Sequence, residues 1–299
     1  MVYTVTFNPA LDYVLKVNNL KKGEVNRADE EYISAGGKGI NVSVVLTHLG
    51  IENVMLGFTA GFTGDEIIRV LNDEGYNNDF ITVAGLSRIN VKIKSDEETE
   101  INATGPDITE DNINSLFDKL DKLKEDDILV LAGSVPKSLH SDIYMNIMER
   151  MASKNIKCIV DAANDLLLNV LKYHPFLIKP NKYELEEIFN VKVNDNNEII
   201  KYAKKLTELG AKNVLVSLGR EGAVFVSEDG TVYEKSAPKG KAVNSVGAGD
   251  SMVAGFITGY IEKQEYLHAF KMGISAGSAS AFSKYLATKE EVEKLYKTL

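Results

Sequence analysis

Apolar residues along the chain form two kinds of pattern that alternate with each other. Short runs rich in β-branched and aromatic residues, at 3–7 and 54–58, predict buried strands. Each run is followed by a segment whose apolar positions recur every three to four residues, at 38–49 and 65–74, which predicts a helix. Such alternation is typical of a three-layer α/β/α sandwich, in which helices cover both faces of a mostly parallel sheet.

The same alternation resumes after residue 105. Strands are predicted at 128–132, 158–161, 176–179 and from 214 onward, with helices at 143–152, 183–189 and 196–209. A turn at 219–222, a hairpin through 223–226 and 231–234, and further helices complete the prediction.

Two places break the alternation, because strand patterns follow one another there without a helix between them. They are 12–17 with 28–34, and 88–94 with the segment around 100–103. Ile89, Val91 and Ile93 alternate with polar residues, as in half-buried antiparallel strands. We therefore predict one α/β domain over 1–299, with a small second sheet inserted at about 12–34 and 88–104.

Composition limits the classes of binding partner and the cellular compartment that we expect for this protein. The net charge of −9 argues against a nucleic-acid partner or an anionic membrane surface. The single cysteine, Cys158, lies in an apolar run and predicts core packing in a reducing compartment. With no signal-peptide pattern at the start, we expect a cytoplasmic protein. The stretch 242–261 has the length of a membrane span, but it contains Asn244, Asp250 and four glycines and is not expected to be one.

The richest chemical signal is the segment Gly247, Ala248, Gly249 and Asp250, which opens a run predicted to be a buried helix. Glycines at a helix start let a ligand approach the free N–H groups, and the helix dipole favours an anion there. On pattern alone, Asp250 is either part of this site or an ordinary helix cap. The four histidines show no metal-ligand spacing.

Three further segments precede this one in a recognisable order, at 35–42, 179–184 and 216–223. Together the four segments resemble the signatures of the ribokinase-like phosphofructokinase B family of carbohydrate kinases. The resemblance spans nearly the entire chain, and four motifs in order are far more specific than one. It implies the ribokinase-like fold, a small β-sheet that acts as a lid over the substrate, and ATP-dependent phosphoryl transfer.

The resemblance also implies residue roles. Asp250 would be the base that takes a proton from the acceptor hydroxyl, and the amides of Gly247, Ala248 and Gly249 would stabilise the transferred phosphoryl group. The implied substrate-binding residues are Asp12, Gly36, Gly37, Lys38, Asn41, Arg88 and Ser134. The implied ATP-binding residues are Lys179, Asn181, Ser217, Gly219 and Gly222, with Glu184 organising Mg²⁺ through water.

Plainer interpretations stay open for several of these residues. Glu184 also suits the first turn of a helix, and Ser134 suits a turn. Lys38 and Arg88 are either solvated charges or ligands of a phosphate already present on the sugar. Lys92 is expected on an exposed face of a lid strand.

The segments 23–28 and 88–92 resemble most closely the family members that act on fructose 1-phosphate. The expected reaction is therefore phosphorylation of its 6-hydroxyl by Mg-ATP. Tagatose 6-phosphate is the close alternative, whereas fructose 6-phosphate and unphosphorylated sugars are less supported. A nonenzymatic sugar-phosphate sensor is the alternative from another class. The family also suggests a homodimer formed through the lid.

Overall fold

The structure is a computed structural model that describes residues 1–299. Its strands are β1 (Val2–Thr6), β2 (Ala10–Lys16), β3 (Glu30–Gly36), β4 (Asn53–Ala60), β5 (Ile81–Val83), β6 (Arg88–Lys94), β7 (Glu98–Asn102), β8 (Ile128–Ala132), β9 (Lys157–Asp161), β10 (Leu177–Ile178), β11 (Val214–Ser217), β12 (Ala223–Val226) and β13 (Val232–Lys235). Its helices are α1 (Lys38–His48), α2 (Gly61–Asp73), α3 (Glu110–Leu120), α4 (Ile143–Met151), α5 (Asn164–Leu168), α6 (Lys182–Phe189), α7 (Asn196–Glu208), α8 (Ala248–Lys263), α9 (Tyr266–Phe282) and α10 (Lys289–Tyr296).

The central sheet has nine strands in the order β13-β12-β11-β10-β9-β8-β1-β4-β5. Neighbouring strands from β11 across the sheet to β5 are parallel. Strands β12 and β13 extend the sheet beyond β11 as antiparallel strands. Because successive side chains point to opposite faces, each strand contributes residues to two hydrophobic cores, one on each face of the sheet. In β8, Leu129 and Leu131 join the core under α3 to α7, whereas Ile128 and Val130 join the core under α1 and α8 to α10. The predicted three-layer sandwich is therefore confirmed.

A second sheet of four strands, in the order β3-β2-β6-β7, lies beside the main body. It is built from the two regions that lacked helices in the sequence pattern. Polar and apolar side chains alternate between the two faces of this sheet. Asp12 of β2 is paired with Asn90 of β6 on one face, and Leu11 is paired with Ile89 on the other. Leu11 is buried in a small cluster with Ile40 and Ile67, residues of α1 and α2. This contact holds the root of the small sheet against the body.

The first turn of α8 depends on backbone that few side chains tolerate. Gly247 precedes the helix with φ of 76°, a left-handed conformation that glycine adopts without strain. The helix then packs closely on α9, since a Cβ at Gly255 would lie 2.5 Å from the carbonyl oxygen of Met272. No helix in the structure combines the length and the apolar character needed to cross a bilayer.

The element predictions were incomplete between 75 and 127. Strand β5 and helix α3 were missed there, and the short helix α5, which lies outside that range, was missed as well. Strand β5 has three residues, too few to show a period. Helix α3 buries only Ile113, Leu116 and Leu120, although Thr109 and Asn112 form the capping box that marks its start. Cys158 is buried as predicted.

Candidate active site

The parallel strands of the central sheet all end at the same edge, where polar residues follow their apolar runs. Thr6 ends β1, Asp161 ends β9, Lys179 follows β10 and Ser217 ends β11. Open α/β sheets bind ligands outside this carboxyl edge. The first turn of α8 is at the same edge, because a Cβ on Gly249 would lie 3.3 Å from Nζ of Lys179.

Asp250 lies in the first turn of α8 and is 5% exposed. Its Oδ2 accepts a hydrogen bond of 2.8 Å from Nδ2 of Asn41, on helix α1. Helix α8 has no side-chain cap, which removes the interpretation of Asp250 as an ordinary cap. Burial raises the pKa of Asp250 to about 6, and the negative charge of Asp161 adds to this effect. The carboxyl group is thus held in place and poised to accept a proton near neutral pH.

The backbone N–H groups at the start of α8 differ in availability. The amide of Ala248 donates to the carbonyl of Ser245 at 3.3 Å, whereas the amides of Gly247, Gly249 and Asp250 make no backbone hydrogen bond. Free N–H groups at a helix start bind anions. The sequence predicted the amides of 247–249 for this role. The structure leaves those of Gly247 and Gly249 free, uses that of Ala248 in the bond to Ser245, and adds the free amide of Asp250.

Asp161 is a site residue that the sequence analysis missed. It is 1% exposed, and its Oδ1 lies 3.2 Å from Nζ of Lys38 and 3.4 Å from Nζ of Lys179. Burial alone would raise the pKa of Asp161, but Lys179 and Lys38 outweigh burial and hold it below its usual range. We call Asp161, Lys38 and Lys179 the floor cluster. It joins a lysine predicted for the sugar to a lysine predicted for the nucleotide.

The sequence feature that could have identified Asp161 as a site residue is its position. It is an ionisable residue at the end of an apolar strand run, on the edge where ligands bind. Its Oδ2 is buried and has no hydrogen-bond partner in the protein. A buried carboxylate oxygen without a partner is rare in folded proteins and marks a place for a ligand, ion or water.

A second group of charges lies in the small sheet. Asp12 accepts a hydrogen bond of 3.1 Å from Nδ2 of Asn90, and its Oδ2 lies 3.2 Å from Nζ of Lys92. We call Asp12, Asn90 and Lys92 the lid cluster. The expectation that Lys92 lies on an exposed face was wrong, because Lys92 is 8% exposed. The strand alternation puts it on the same face as Asp12, where the acid compensates its charge.

A cleft of about 560 Å³ lies between the body and the root of the small sheet. Its lining includes four of the predicted substrate residues, namely Gly37, Lys38, Arg88 and Ser134. The Nε of Arg88 donates to the carbonyl of Asn8 at 3.0 Å. Burial lowers the pKa of Arg88, although the charge of Asp12 opposes that effect. Arg88 therefore points a partly desolvated guanidinium at the cleft.

Two further polar atoms in this cleft were not predicted. The Oγ1 of Thr6 and the Oδ1 of Asn8 are buried without a hydrogen-bond partner, and both residues line the cleft. Buried polar atoms are normally satisfied. Their state is consistent with a polar ligand such as a sugar phosphate.

Three predicted substrate residues lie outside this cleft, namely Gly36, Asp12 and Asn41, and the first two are in close contact. A Cβ on Gly36 would lie 2.6 Å from Oδ2 of Asp12, so a larger residue there would displace the carboxylate. Asp12 lines an adjacent cleft, together with Asn41. These placements bring Gly36, Asp12 and Asn41 to one side of the site.

The predicted nucleotide residues also converge. Asn181 and Ser217 pair in a parallel bridge beyond the ends of β10 and β11. Gly219 has φ of 58°, and Gly222, with φ of 104°, would place a Cβ 2.0 Å from the carbonyl oxygen of Lys235. The turn therefore requires glycine at both positions.

Glu184 lies in the first turn of α6, where it forms a capping box with Asn181. One carboxylate oxygen, Oε2, accepts from the backbone N–H of Asn181 at 2.7 Å. The plain first-turn interpretation of Glu184 thus describes part of its role, and its other oxygen makes no hydrogen bond. No cluster of three acidic, His or Cys side chains offers a complete set of metal ligands. One free carboxylate oxygen fits a hydrated Mg²⁺ held mainly by phosphate oxygens.

Comparison with known proteins identifies the relatives of this site. A family model described as pfkB family carbohydrate kinase matches residues 5–292. The 1-phosphofructokinase of Bacillus subtilis (strain 168) is 43% identical over 295 residues, which cover 99% of this chain and 97% of the relative. The D-tagatose-1-phosphate kinase of Bacillus licheniformis is 39% identical over 303 residues, which cover 100% of this chain and 97% of the relative.

Solved structures agree with this assignment. The crystal structure of phosphofructokinase-2 from Escherichia coli in complex with fructose-6-phosphate is 27% identical, with a TM-score of 0.93 and coverage of 100% of this chain and 98% of that chain. An Arabidopsis thaliana ribokinase complexed with ribose and ATP has a TM-score of 0.79 at 21% identity, with coverage of 99% and 98%, and shows the shared fold. The predicted ribokinase-like fold is confirmed, and the chain belongs to the pfkB family of carbohydrate kinases.

Proposed function

We propose that this protein transfers the γ-phosphoryl group of ATP to the 6-hydroxyl of fructose 1-phosphate, forming fructose 1,6-bisphosphate and ADP. The observation that carries the proposal is the placement of Asp250. Its buried carboxylate is hydrogen-bonded to Asn41 in the first turn of α8. The cations Lys38 and Arg88 line a neighbouring cleft of a size suited to a sugar phosphate. The similarity to 1-phosphofructokinase over nearly the whole chain supports this substrate.

In the proposed reaction, Asp250 accepts the proton of the 6-hydroxyl as its oxygen attacks the γ-phosphorus. Asn41 keeps the carboxylate oriented through its 2.8 Å hydrogen bond. The free amides at the start of α8 stabilise charge on the phosphoryl oxygens. Phosphoryl transfer has a loose transition state, so alignment of the reacting groups contributes more than strong activation of the hydroxyl.

The floor cluster supplies positive charge to both substrates in this scheme. Lys38 reaches the cleft assigned to the sugar phosphate, and Lys179 lies beside Gly249 at the start of α8. Asp161 orients both lysines before the substrates bind. Burial would lower the pKa of Lys38, but the charge of Asp161 helps to raise it. The anionic substrates then share these cations with Asp161.

Asn181, Ser217, Gly219 and Gly222 are proposed to line the ATP phosphates and ribose. Glu184 would hold Mg²⁺ through water, and the ion would neutralise charge on the bound phosphates. In the sugar site we assign Asp12 and Asn41 to the hydroxyls, Gly36 and Gly37 to close backbone approach, and Ser134 with Lys38 and Arg88 to the phosphate. The entire chain, 1–299, acts as one kinase domain in the cytoplasm, where phosphorylated sugars and ATP occur.

A tagatose phosphate is the second candidate substrate. Tagatose 6-phosphate resembles fructose 1-phosphate when turned end for end, and the relative from Bacillus licheniformis is named for D-tagatose 1-phosphate. Fructose and tagatose differ at one hydroxyl, so a hydrogen-bonding residue in the sugar site decides between them.

The test is ADP release with fructose 1-phosphate, tagatose 1-phosphate, tagatose 6-phosphate, fructose 6-phosphate and ribose at matched concentrations. We expect the largest kcat/KM for fructose 1-phosphate. A larger value for a tagatose phosphate would replace the substrate but keep the mechanism. Absence of ADP formation with every sugar, in a protein that still binds fructose 1-phosphate, would favour the sensor.

The small sheet also supports the proposed homodimer. Its face away from Asp12 carries Tyr13, Ile33, Val91, Ile93 and Ile101 in register. Ile33 and Ile101 are 37% and 59% exposed. An apolar sheet face of this kind is stabilised by pairing with a second copy. Light scattering would give twice the chain mass, and Ile33→Glu would lower it.

A further inference from the structure

The segment after α9 makes a contact with the lid that none of the four motifs includes. Its exposed Lys284 places Nζ 5.5 Å from the ring centroid of Tyr32 and 5.3 Å from that of Tyr285. Tyr32 belongs to β3, which is an edge strand of the small sheet. A lysine ammonium within about 6 Å of a ring centroid is attracted by the ring. Lys284 thus connects the body of the protein to the free edge of the lid.

The same segment is tied to the start of α8. The Oγ of Ser280 lies 2.6 Å from Oγ of Ser251 and accepts from the backbone N–H of Ala287 at 2.8 Å. The Nδ2 of Asn244 donates to the carbonyl of Lys284 at 3.3 Å. Ser280 and Lys284 therefore connect the segment 280–287 to Ser251, in α8, and to Asn244, before α8, while Ala287 folds back onto Ser280.

Asn244 extends this connection to the anion-binding turn. Its Oδ1 accepts from the backbone N–H of Val246 at 3.2 Å, one residue before Gly247. A Cβ on Gly247 would lie 2.5 Å from Leu286 and 3.5 Å from Nδ2 of Asn41. Asn244 thus bonds the carbonyl of Lys284 to the turn before α8, and Leu286 and Asn41 lie close to Gly247 in that turn.

We propose that Lys284 is a positioning residue that latches the edge of the lid, through Tyr32, to the loop that shapes the anion-binding turn. The latch raises the fraction of molecules in which the lid is held over the cleft. The catalytic consequence of the latch rests on the proposed function. A lid that closes over the sugar phosphate excludes water from the transferred phosphoryl group. The contacts that form the latch lie entirely within this chain.

Hydrogen exchange in the free protein tests the latch without any substrate. In Lys284→Gln, the backbone amides of 30–36 should exchange about threefold faster, the change expected from loss of a part-exposed cation–π contact. Lys284→Arg should retain the wild-type rate, because a guanidinium makes the same contact. Tyr32→Leu combined with Lys284→Gln should exchange no faster than Tyr32→Leu alone.

The matched control is Lys271→Gln, which breaks another cation–π contact, with Nζ 5.0 Å from the ring of Tyr296 on α10. It should leave exchange at 30–36 unchanged. The latch is wrong if Lys284→Gln exchanges at the wild-type rate, or if Lys271→Gln accelerates exchange in this segment equally.

Kinetics then connect the latch to catalysis. Lys284→Gln should raise the KM for fructose 1-phosphate about threefold, leave the KM for ATP unchanged, and increase ADP formed in excess of bisphosphate. Equal increases in both KM values would overturn the positioning role. If the wild-type protein forms no ADP with any sugar, the proposed function fails, whereas the exchange experiment still decides the latch.

Discussion

The floor cluster and the lid cluster each pair acids with lysines, but the two clusters are stabilised differently. Asp161 lies at the end of a central parallel strand, and its side chain and that of Lys179 are 1% and 5% exposed. Asp12 and Lys92 lie on two adjacent lid strands, and their side chains are 14% and 10% exposed. The floor is surrounded by the two large cores of the sandwich, whereas the lid ends in β7, all of whose residues are exposed.

On this difference we assign the floor cluster to the chemical step and the lid cluster to closure over the substrate. The floor must keep charges in a fixed geometry in a region of low dielectric, so any change there alters both stability and pKa values. In the proposed function the lid moves to admit the substrate, and a sheet with few core contacts opens at lower cost. Changes in the floor should therefore have large effects on turnover and stability, and changes in the lid should mainly alter substrate affinity.

Asp250→Asn should have the largest effect on turnover. Loss of the base should lower kcat at least about 10²-fold, with a modest change in substrate binding. The same variant should be more stable than the wild type at pH 7, by up to about 3 kcal/mol, because burial disfavours the charged carboxylate. Steady-state kinetics and guanidinium unfolding measure the two effects. Near-normal turnover would remove Asp250 from the base role.

The pH dependence provides a control for this assignment. The folded-state pKa of Asp250, about 6, is above that of an unfolded aspartate. The stability cost of its charge is present above pH 6 and disappears as the pH falls through the folded pKa towards the unfolded one. The stability difference between variant and wild type should therefore shrink between pH 7 and pH 4. For the wild type, log(kcat/KM) should fall with a slope of one below about pH 6.

Asp161→Asn should have the largest effect on stability. It leaves Lys179 buried without a compensating charge, and removal of one partner of a buried pair costs about 3 kcal/mol. Asp121→Asn is the matched control, because Asp121 pairs with Arg150 at the surface and such pairs contribute about 1 kcal/mol or less. Guanidinium unfolding at pH 7 measures both. Equal losses in the two variants would contradict the buried role of the floor cluster.

Arg88→Ala should have the smallest of these three effects. It should raise the KM for the sugar phosphate about tenfold and leave the KM for ATP and the melting temperature nearly unchanged. Lys16→Ala is the control, since Lys16 is a lid cation, half exposed and paired with Glu30 at the end of β2. Equal effects of Arg88→Ala on both substrates would argue against the assignment of the sugar's phosphate to this cleft.

For the floor cluster, the sequence predicted the strands and helices that carry the residues better than the contacts between those residues. Strand β9 was predicted from its apolar run, but Asp161 was not recognised, because its partner Lys38 is 123 residues away. The contact exists only because parallel strands and the start of α1 meet at one edge of the sheet. In the lid, the strand pattern was recognised, but the burial of Lys92 depends on pairing with β2, which places Asp12 and Asn90 on the same face.

The sequence by itself determined the alternation of strands and helices, the insertion of a small sheet, and four glycine-rich or polar motifs that identify the family. These features are local, since periodicity and turn chemistry act over a few residues. Only the tertiary structure decided that Asp250 bonds Asn41, that Asp161 joins two lysines, and that Lys284 contacts the lid edge. Those contacts join residues far apart in the chain, and which side chains meet depends on strand order, register and burial.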